Sequence, residues 1–482
     1  MSEYGAEGPG TMPMSATHEG KPRDRSLDML RGTAILLMAL SGLIPFGKLP
    51  DWMYHMQVPP PAHKFDPTRI GMTWVDLVFP WFLFSMGAAM PFALEKRWQT
   101  HGPWASAALA VWRGALLVAF AIFDQHVRPY SLEKSPAPIT LWISLGMFFV
   151  GLGMFGRFPW KAEPERARAF DWIVRAISFG IAALFLYHAF YPDGTGFRLE
   201  RSDIILMVLA YCAAVGGLIW LVTRGKPAWR DATLLALVAW RVSATVPGTW
   251  ANEAFTATWL PWLPRPEFSH YLIIVLLGMR AGEIVLMPPR SLADESRWGV
   301  AWSFPRVTAL QASLAVSIIA VVWVYYSGLP RFFFLPTFLM LVLIKHPVST
   351  EDRISAQLVS LGIACVAIGL LFGPFQGGLK KDPVTLSYMF TTSGLAAWAV
   401  AFFRRLPAKG FAEYLSLVGQ NPMVAYLGIT NLVTPLWGLT VGPYAASWPM
   451  DPWVRAGLGL VQTLLLGLVA AELTRVKIVM RT

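Results

Sequence analysis

GMTWVDLVFPWFLFSMGAAMPF, residues 71–92, joins a single acid to a long apolar run. A run of about 20 apolar residues crosses a hydrocarbon core as a helix. Asp76 stands at the mouth of that helix, and the loop before it, residues 47–70, is rich in Pro and carries Trp52, His55 and His63. Ionisable groups at the membrane are costly, so an acid beside two imidazoles marks a candidate functional site.

Reading outward, the same kind of run recurs along all 482 residues, of which 55% are apolar and 14% charged. That mix is far from a soluble domain's. Fourteen candidate spans follow: 29–46, 75–94, 104–123, 138–156, 171–191, 203–223, 231–247, 269–287, 306–326, 330–346, 354–373, 384–404, 416–440 and 453–474. Those at 29–46, 231–247 and 330–346 are short and read equally as half-helices. Placed with the N-terminus inside, the inner side carries 27 of the 40 Lys and Arg and the outer side 12, with Arg241 inside a span. This asymmetry predicts both termini in the cytoplasm. The expected architecture is an all-α polytopic bundle of about 12–14 spans in the bacterial inner membrane. Residues 1–24 are expected to be a disordered cytoplasmic tail and 25–482 a single multi-span domain. Nothing apolar precedes residue 29, so no cleavable signal is expected.

The net charge of +11 does not imply nucleic acid, because the basic residues form short clusters between spans. Such clusters suit lipid headgroups. Cys212 and Cys365 fall inside apolar runs and read as core- or lipid-facing thiols. There is no GxxxxGK[ST], HExxH or CxxC pattern, so neither an ATPase nor a metal or redox centre is expected. Gly457 and Gly459 allow the close helix packing of a homodimer without requiring one.

Several groups can carry chemistry. An imidazole accepts a proton from an attacking amine or hydroxyl, or is itself acylated, and a carboxylate on its other nitrogen fixes the tautomer. His55 or His63 with Asp76 fits that scheme; ordinary interfacial histidines and a helix-capping Asp fit the spacing as well. In RSLDMLRG (25–32), Ser26 can cap the first span, with Asp28 and Arg31 paired in the first turn. The alternative reading there is a phosphate contact, since a helix start with an Arg favours anions. Arg241 reads as a mid-span cation with Glu253 as counter-ion and Asn252 beside it; Lys380 and Lys381 precede a later span and can hold an anionic substrate group.

RSLDMLRGTAILLM, GMTWVDLVFPWFLFSMGAAMPFAL, HYLIIVLLGMRAGEI, GGLKKDPVTLSYMFTTSGLA and LVGQNPMVAYLG occur in the order found in heparan-α-glucosaminide N-acetyltransferase-like membrane proteins, which the chain resembles over residues 25–428. The resemblance implies transfer of an acetyl group from cytoplasmic acetyl-CoA to an amino sugar across the membrane. It implies an active-site histidine in the first outer loop, with Asp76 matching the family's Asp. Both His55 and His63 stand near that place, His55 in the more family-like setting. The chain departs from the pattern at Ser41-Gly42 and over ITLWISLGMFF (139–149).

The leading expectation is thus an acyltransferase taking acetyl-CoA as donor and an envelope sugar amine or hydroxyl as acceptor. The donor would meet Asp28 and Arg31 on the inner side. Arg241, Asn252, Glu253 and Lys380 would line the acceptor. A sugar or lipid-linked-sugar transporter is the rival class, and a non-catalytic scaffold the third. A histidine base requires activity that rises as the imidazole loses its proton, so a pH–rate profile flat between about pH 5 and 8 counts against it.

Overall fold

The computed structural model describes residues 24–258, 265–286, 304–329, 334–344, 350–442 and 450–480, and most of the expected runs lie on single helices there, whereas 416–440 is divided among several short ones and 330–346 falls partly outside the described residues. Among these residues ten helices are long and apolar enough to cross a membrane, making the chain an all-α, multi-pass integral membrane protein. Lipid offers no hydrogen bonds, so every crossing segment must satisfy its own backbone, and helices do. The one strand pair among the described residues is two residues long, Gly156–Arg157 against Val479–Met480.

In chain order the helices are α1 (Arg25–Leu43), α2 (Val78–Val127), α3 (Pro129–Leu132), α4 (Pro138–Phe155), α5 (Pro164–His188), α6 (Ile204–Val222), α7 (Pro227–Ser243), α8 (Trp250–Thr256) and α9 (Leu272–Val285). After them come α10 (Phe304–Ser327), α11 (Leu335–Ile344), α12 (Thr350–Phe372), α13 (Leu386–Phe403), α14 (Phe411–Gln420), α15 (Pro422–Gly428), α16 (Thr434–Leu439) and α17 (Pro452–Arg475). The long α2 carries two of the expected spans. It breaks at Gly102, whose φ of +78° suits glycine, and Pro103 opens its second half.

Helix α1 starts earlier than its apolar run. Asp24, not Ser26, is the cap: its carboxylate accepts from the backbone N–H of Ser26 at 2.9 Å and of Leu27 at 3.3 Å, and Arg404 binds it at 2.5 Å. An aspartate satisfies two orphan amides at once and meets a cation, which the Ser26 hydroxyl could not do. The rest of the expected tail, residues 1–23, lies outside the described residues.

Helix α13 is the most enclosed, with buried residues along nearly its whole length. Against it and beside it, small residues let backbones touch. A Cβ at Gly278 would collide with the Phe84 carbonyl, one at Gly282 with that of Ala88, and one at Gly419 with that of Asp28. Close approach of this kind supplies dispersion where lipid removes the hydrophobic drive. Gly459 serves the same purpose within the chain, facing the Leu43 carbonyl, whereas Gly457 faces open space.

Polar contacts sort the loops into two ends. Asp24 with Arg404, Glu95 with Arg224 and the 156–157 with 479–480 strand pair lie at one end. Asp51 with Arg69, Arg128 with Asp203 and the loop before α2 with the loop before α13 lie at the other. The sorting matches the alternation read from the charges. Helix α7 ends at Ser243, four residues before its expected limit, because the chain turns through 244–249 with Gly248 at φ +74°. Arg241 is therefore in the last turn of α7, not at mid-span.

Replacing Gly278 with Val forces α2 and α9 apart. We expect a lower unfolding midpoint in detergent and loss of monodisperse protein, an overpacking cost of about 3 kcal/mol. Gly457→Val, with space around it, leaves the midpoint in place; thermal unfolding of both variants checks this.

Candidate functional site

Thr73 caps the 3-10 turn Trp74–Leu77 that leads into α2, and Asp76 completes a capping box with it. The box points the Asp76 carboxylate back toward the chain that precedes it. One oxygen, Oδ2, accepts from the Thr73 amide at 2.9 Å and the Met56 amide at 3.1 Å. The other, Oδ1, lies 2.8 Å from His55 Nδ1. Asp76 is 2% exposed, and its neighbours are donors, as a buried carboxylate requires. The Thr73 hydroxyl donates to the Tyr54 carbonyl at 2.6 Å, and the Tyr388 hydroxyl, from α13, to the Asp76 carbonyl at 2.6 Å.

A second loop completes the cluster. The side-chain amide of Gln57 donates to the Asp382 carbonyl at 2.5 Å and accepts from its amide at 2.8 Å. This two-way clamp brings Lys381 alongside: its Nζ is 3.1 Å from His55 Nδ1, 3.4 Å from Nε2 and 4.0 Å from Asp76 Oδ1. Enclosure by protein lowers the Lys381 pKa, opposed by the charges of Asp76 and Asp382.

The geometry assigns the imidazole its roles. With Nδ1–H donated to Asp76, the lone pair is on Nε2, and 39% of the His55 side chain is exposed. A part-exposed imidazole, a carboxylate that stabilises its protonated form, and the Lys381 cation, 3.4 Å from Nε2, stand together. They can remove a proton from a nucleophile and stabilise a nearby developing oxyanion.

Of the two histidines, only His55 meets Asp76. His63 Nε2 instead accepts from the Gly47 amide at 2.6 Å, and its ring packs edge-on against Phe46 and Tyr54, so it braces the loop. Lys381, not Lys380, is the lysine at the cluster. The Lys380 amide donates to Thr385 Oγ1 at 3.0 Å, and its Nζ lies beside Gly377, away from the cluster. Two adjacent lysines carried no sequence signal as to which faces inward.

Glu253 is exposed and makes no ion pair with Arg241, whose Nη2 donates to the Val384 carbonyl at 2.8 Å. The expected counter-ion is absent there because α8 turns Glu253 outward. Asn252 donates to the Ala244 carbonyl at 2.8 Å and ties α8 to the end of α7. At the opposite end of the bundle, Arg31 donates to the carbonyls of Gly419 and Ser85, each at 3.3 Å, and lies 3.6 Å from Asp28. Asp28 and Arg31 thus join α1 to α2 and α14.

Asp76→Asn sets an amide against converging N–H donors and should cost about 3 kcal/mol of stability, from unsatisfied buried donors. His55→Asn, at a partly exposed position, should leave the unfolding midpoint within about 0.5 kcal/mol of the parent. Thermal unfolding of the two purified variants separates the structural from the chemical member of the pair.

No curated protein matches the chain. Residues 23–285 match a family model described as a domain of unknown function, DUF5009. The matched stretch runs from before α1 to the end of α9 and contains His55 and Asp76, but not Lys381. It spans more than half of the sequence, and the chain belongs to the DUF5009 family.

Proposed function

We propose that the protein is a membrane-embedded acyltransferase that uses acetyl-CoA as donor and an envelope amino sugar or glycan as acceptor, in the bacterial inner membrane with both termini cytoplasmic. The observation that carries this reading is the 2.8 Å contact between His55 Nδ1 and buried Asp76, on an imidazole whose side chain is 39% exposed. The resemblance to heparan-α-glucosaminide N-acetyltransferase-like proteins supplies the donor and the class of acceptor.

In this reading His55 Nε2 takes the proton of the acceptor amine or hydroxyl as that atom bonds to the thioester carbonyl carbon. Asp76 holds the imidazolium that forms, the arrangement that orients and stabilises a catalytic histidine. Lys381 places positive charge close to where the carbonyl oxygen becomes an oxyanion. As the carbon–sulfur bond breaks, the imidazolium returns its proton to the departing thiolate. A variant of the route acylates Nε2 first and passes the acyl group on afterwards.

Transport finds less support. The interrupted stretch from α14 to α16 contains buried Asn421 and Asn431, a feature that lines pathways in transporters. Both are spent internally: Asn421 bonds the Ile478 carbonyl at 2.9 Å and the Met480 amide at 3.0 Å, and Asn431 the Val127 carbonyl at 2.8 Å.

Purified protein incubated with radiolabelled acetyl-CoA and amino-sugar acceptors tests the reading. We expect label on the acceptor, with loss of at least about 100-fold in His55→Ala and Asp76→Ala, the scale of a general base. Label trapped on the wild-type protein but not on His55→Ala selects the acyl-imidazole route. Acceptor uptake into vesicles with no label transferred would favour transport.

A further inference from the structure

Helix α7 touches the bundle in an unusual way. Its two buried residues are arginines, Arg230 and Arg241, three turns apart on one face. Arg230 is fully engaged, by Glu283 and by the side chain and carbonyl of Thr223. Arg241 is not: it is 8% exposed, makes no ion pair among the described residues, and its Nε has no hydrogen-bond partner. Residues 259–264, which follow α8 in the chain, contain no acidic side chain.

Beside it stands a second incomplete group. His270 is 8% exposed, and its ring nitrogens make no hydrogen bond of good geometry, with only the Glu267 backbone close enough to act on the ring. The Phe255 ring lies under both, 5.5 Å from the Arg241 guanidinium carbon and 5.7 Å from the His270 ring. The Tyr271 ring lies tilted against His270, centroids 4.1 Å apart, and meets Phe79, three residues beyond Asp76, edge-on at 5.5 Å. Arg241 itself is tied to Val384, three residues beyond Lys381. The pair therefore flanks the His55–Asp76–Lys381 cluster.

A buried cation without a counter-ion among the described residues and a buried imidazole held only weakly by the Glu267 backbone are each unfavourable, and buried polar groups are almost always satisfied. Water would satisfy the hydrogen bonds but not the charge. An anion with several acceptor oxygens satisfies both. We propose that Arg241 and His270 form a subsite for one anionic group, a phosphate or a carboxylate, on the molecule that is presented to His55. This rests on the acyl-transfer reading for its place in a reaction, but the binding itself is open to test without it.

The test is the thermal unfolding midpoint of detergent-solubilised wild type, Arg241→Gln, Arg241→Lys, His270→Phe and His55→Ala, titrated with pyrophosphate, CoA and glucosamine 6-phosphate. We expect the midpoint of wild type and His55→Ala to rise with anion concentration, and the rise to vanish in Arg241→Gln and shrink in His270→Phe and Arg241→Lys. Without anion, Arg241→Gln should be no less stable than wild type, since it removes an unpaired buried charge. A CoA response lost in Arg241→Gln places the anionic group on the donor; a glucosamine 6-phosphate response lost there places it on the acceptor. Anions that shift no protein, or shift Arg241→Gln as much as wild type, overturn the subsite. His270→Phe, which keeps aromatic volume, serves if Arg241→Gln does not fold. Anion shifts with no acetyl transfer leave the subsite and remove the acyl-transfer reading; transfer without anion shifts does the reverse.

Discussion

A carboxylate buried at the rim of a membrane has to be surrounded by donors, and meeting that demand at Asp76 organises one end of the bundle. Two backbone amides, from Thr73 and Met56, and one imidazole converge on it. The amides fold the loop before α2 back over the helix start. The Tyr388 hydroxyl binds the carbonyl of the same residue and fixes the turn to α13, the most enclosed helix. Little freedom remains for His55 once these bonds are made, so the imidazole is oriented by what Asp76 needs.

The glycine contacts provide the rigidity that such a site requires. Helices α2 and α9 meet backbone to backbone at Gly278 and Gly282, and α1 meets α14 at Gly419. A packed bundle with no slack between these helices keeps the rim loops in register. Sites held on rigid elements keep their geometry better than sites on free loops. Here the chemical groups are on loops, and Gln57 and Asp382 supply the missing stiffness through a paired hydrogen bond.

The apolar runs made the helices legible, and the alternation of charge made the two ends legible, because both are local properties of the chain. Asp76 was legible as an acid at a helix mouth. The choice between His55 and His63 was not, since it turns on which one the Met56 amide carries toward Asp76, while His63 is drawn to the Gly47 amide. Lys381 against Lys380 depended on Gln57, more than 300 residues earlier in the chain. His270 gave no sign at all: a histidine near an apolar run reads as core, and only its place beside Arg241 over the Phe255 ring sets it apart.

Because Gln57 grips Asp382, more than 300 residues later in the chain, the cluster of His55, Asp76 and Lys381 is complete only late in synthesis. A nascent chain inserts its first nine helices with His55 and Asp76 already present but without Lys381. Only when the loop ahead of α13 emerges does the assembly gain its cation, which amounts to a timing lock built into connectivity.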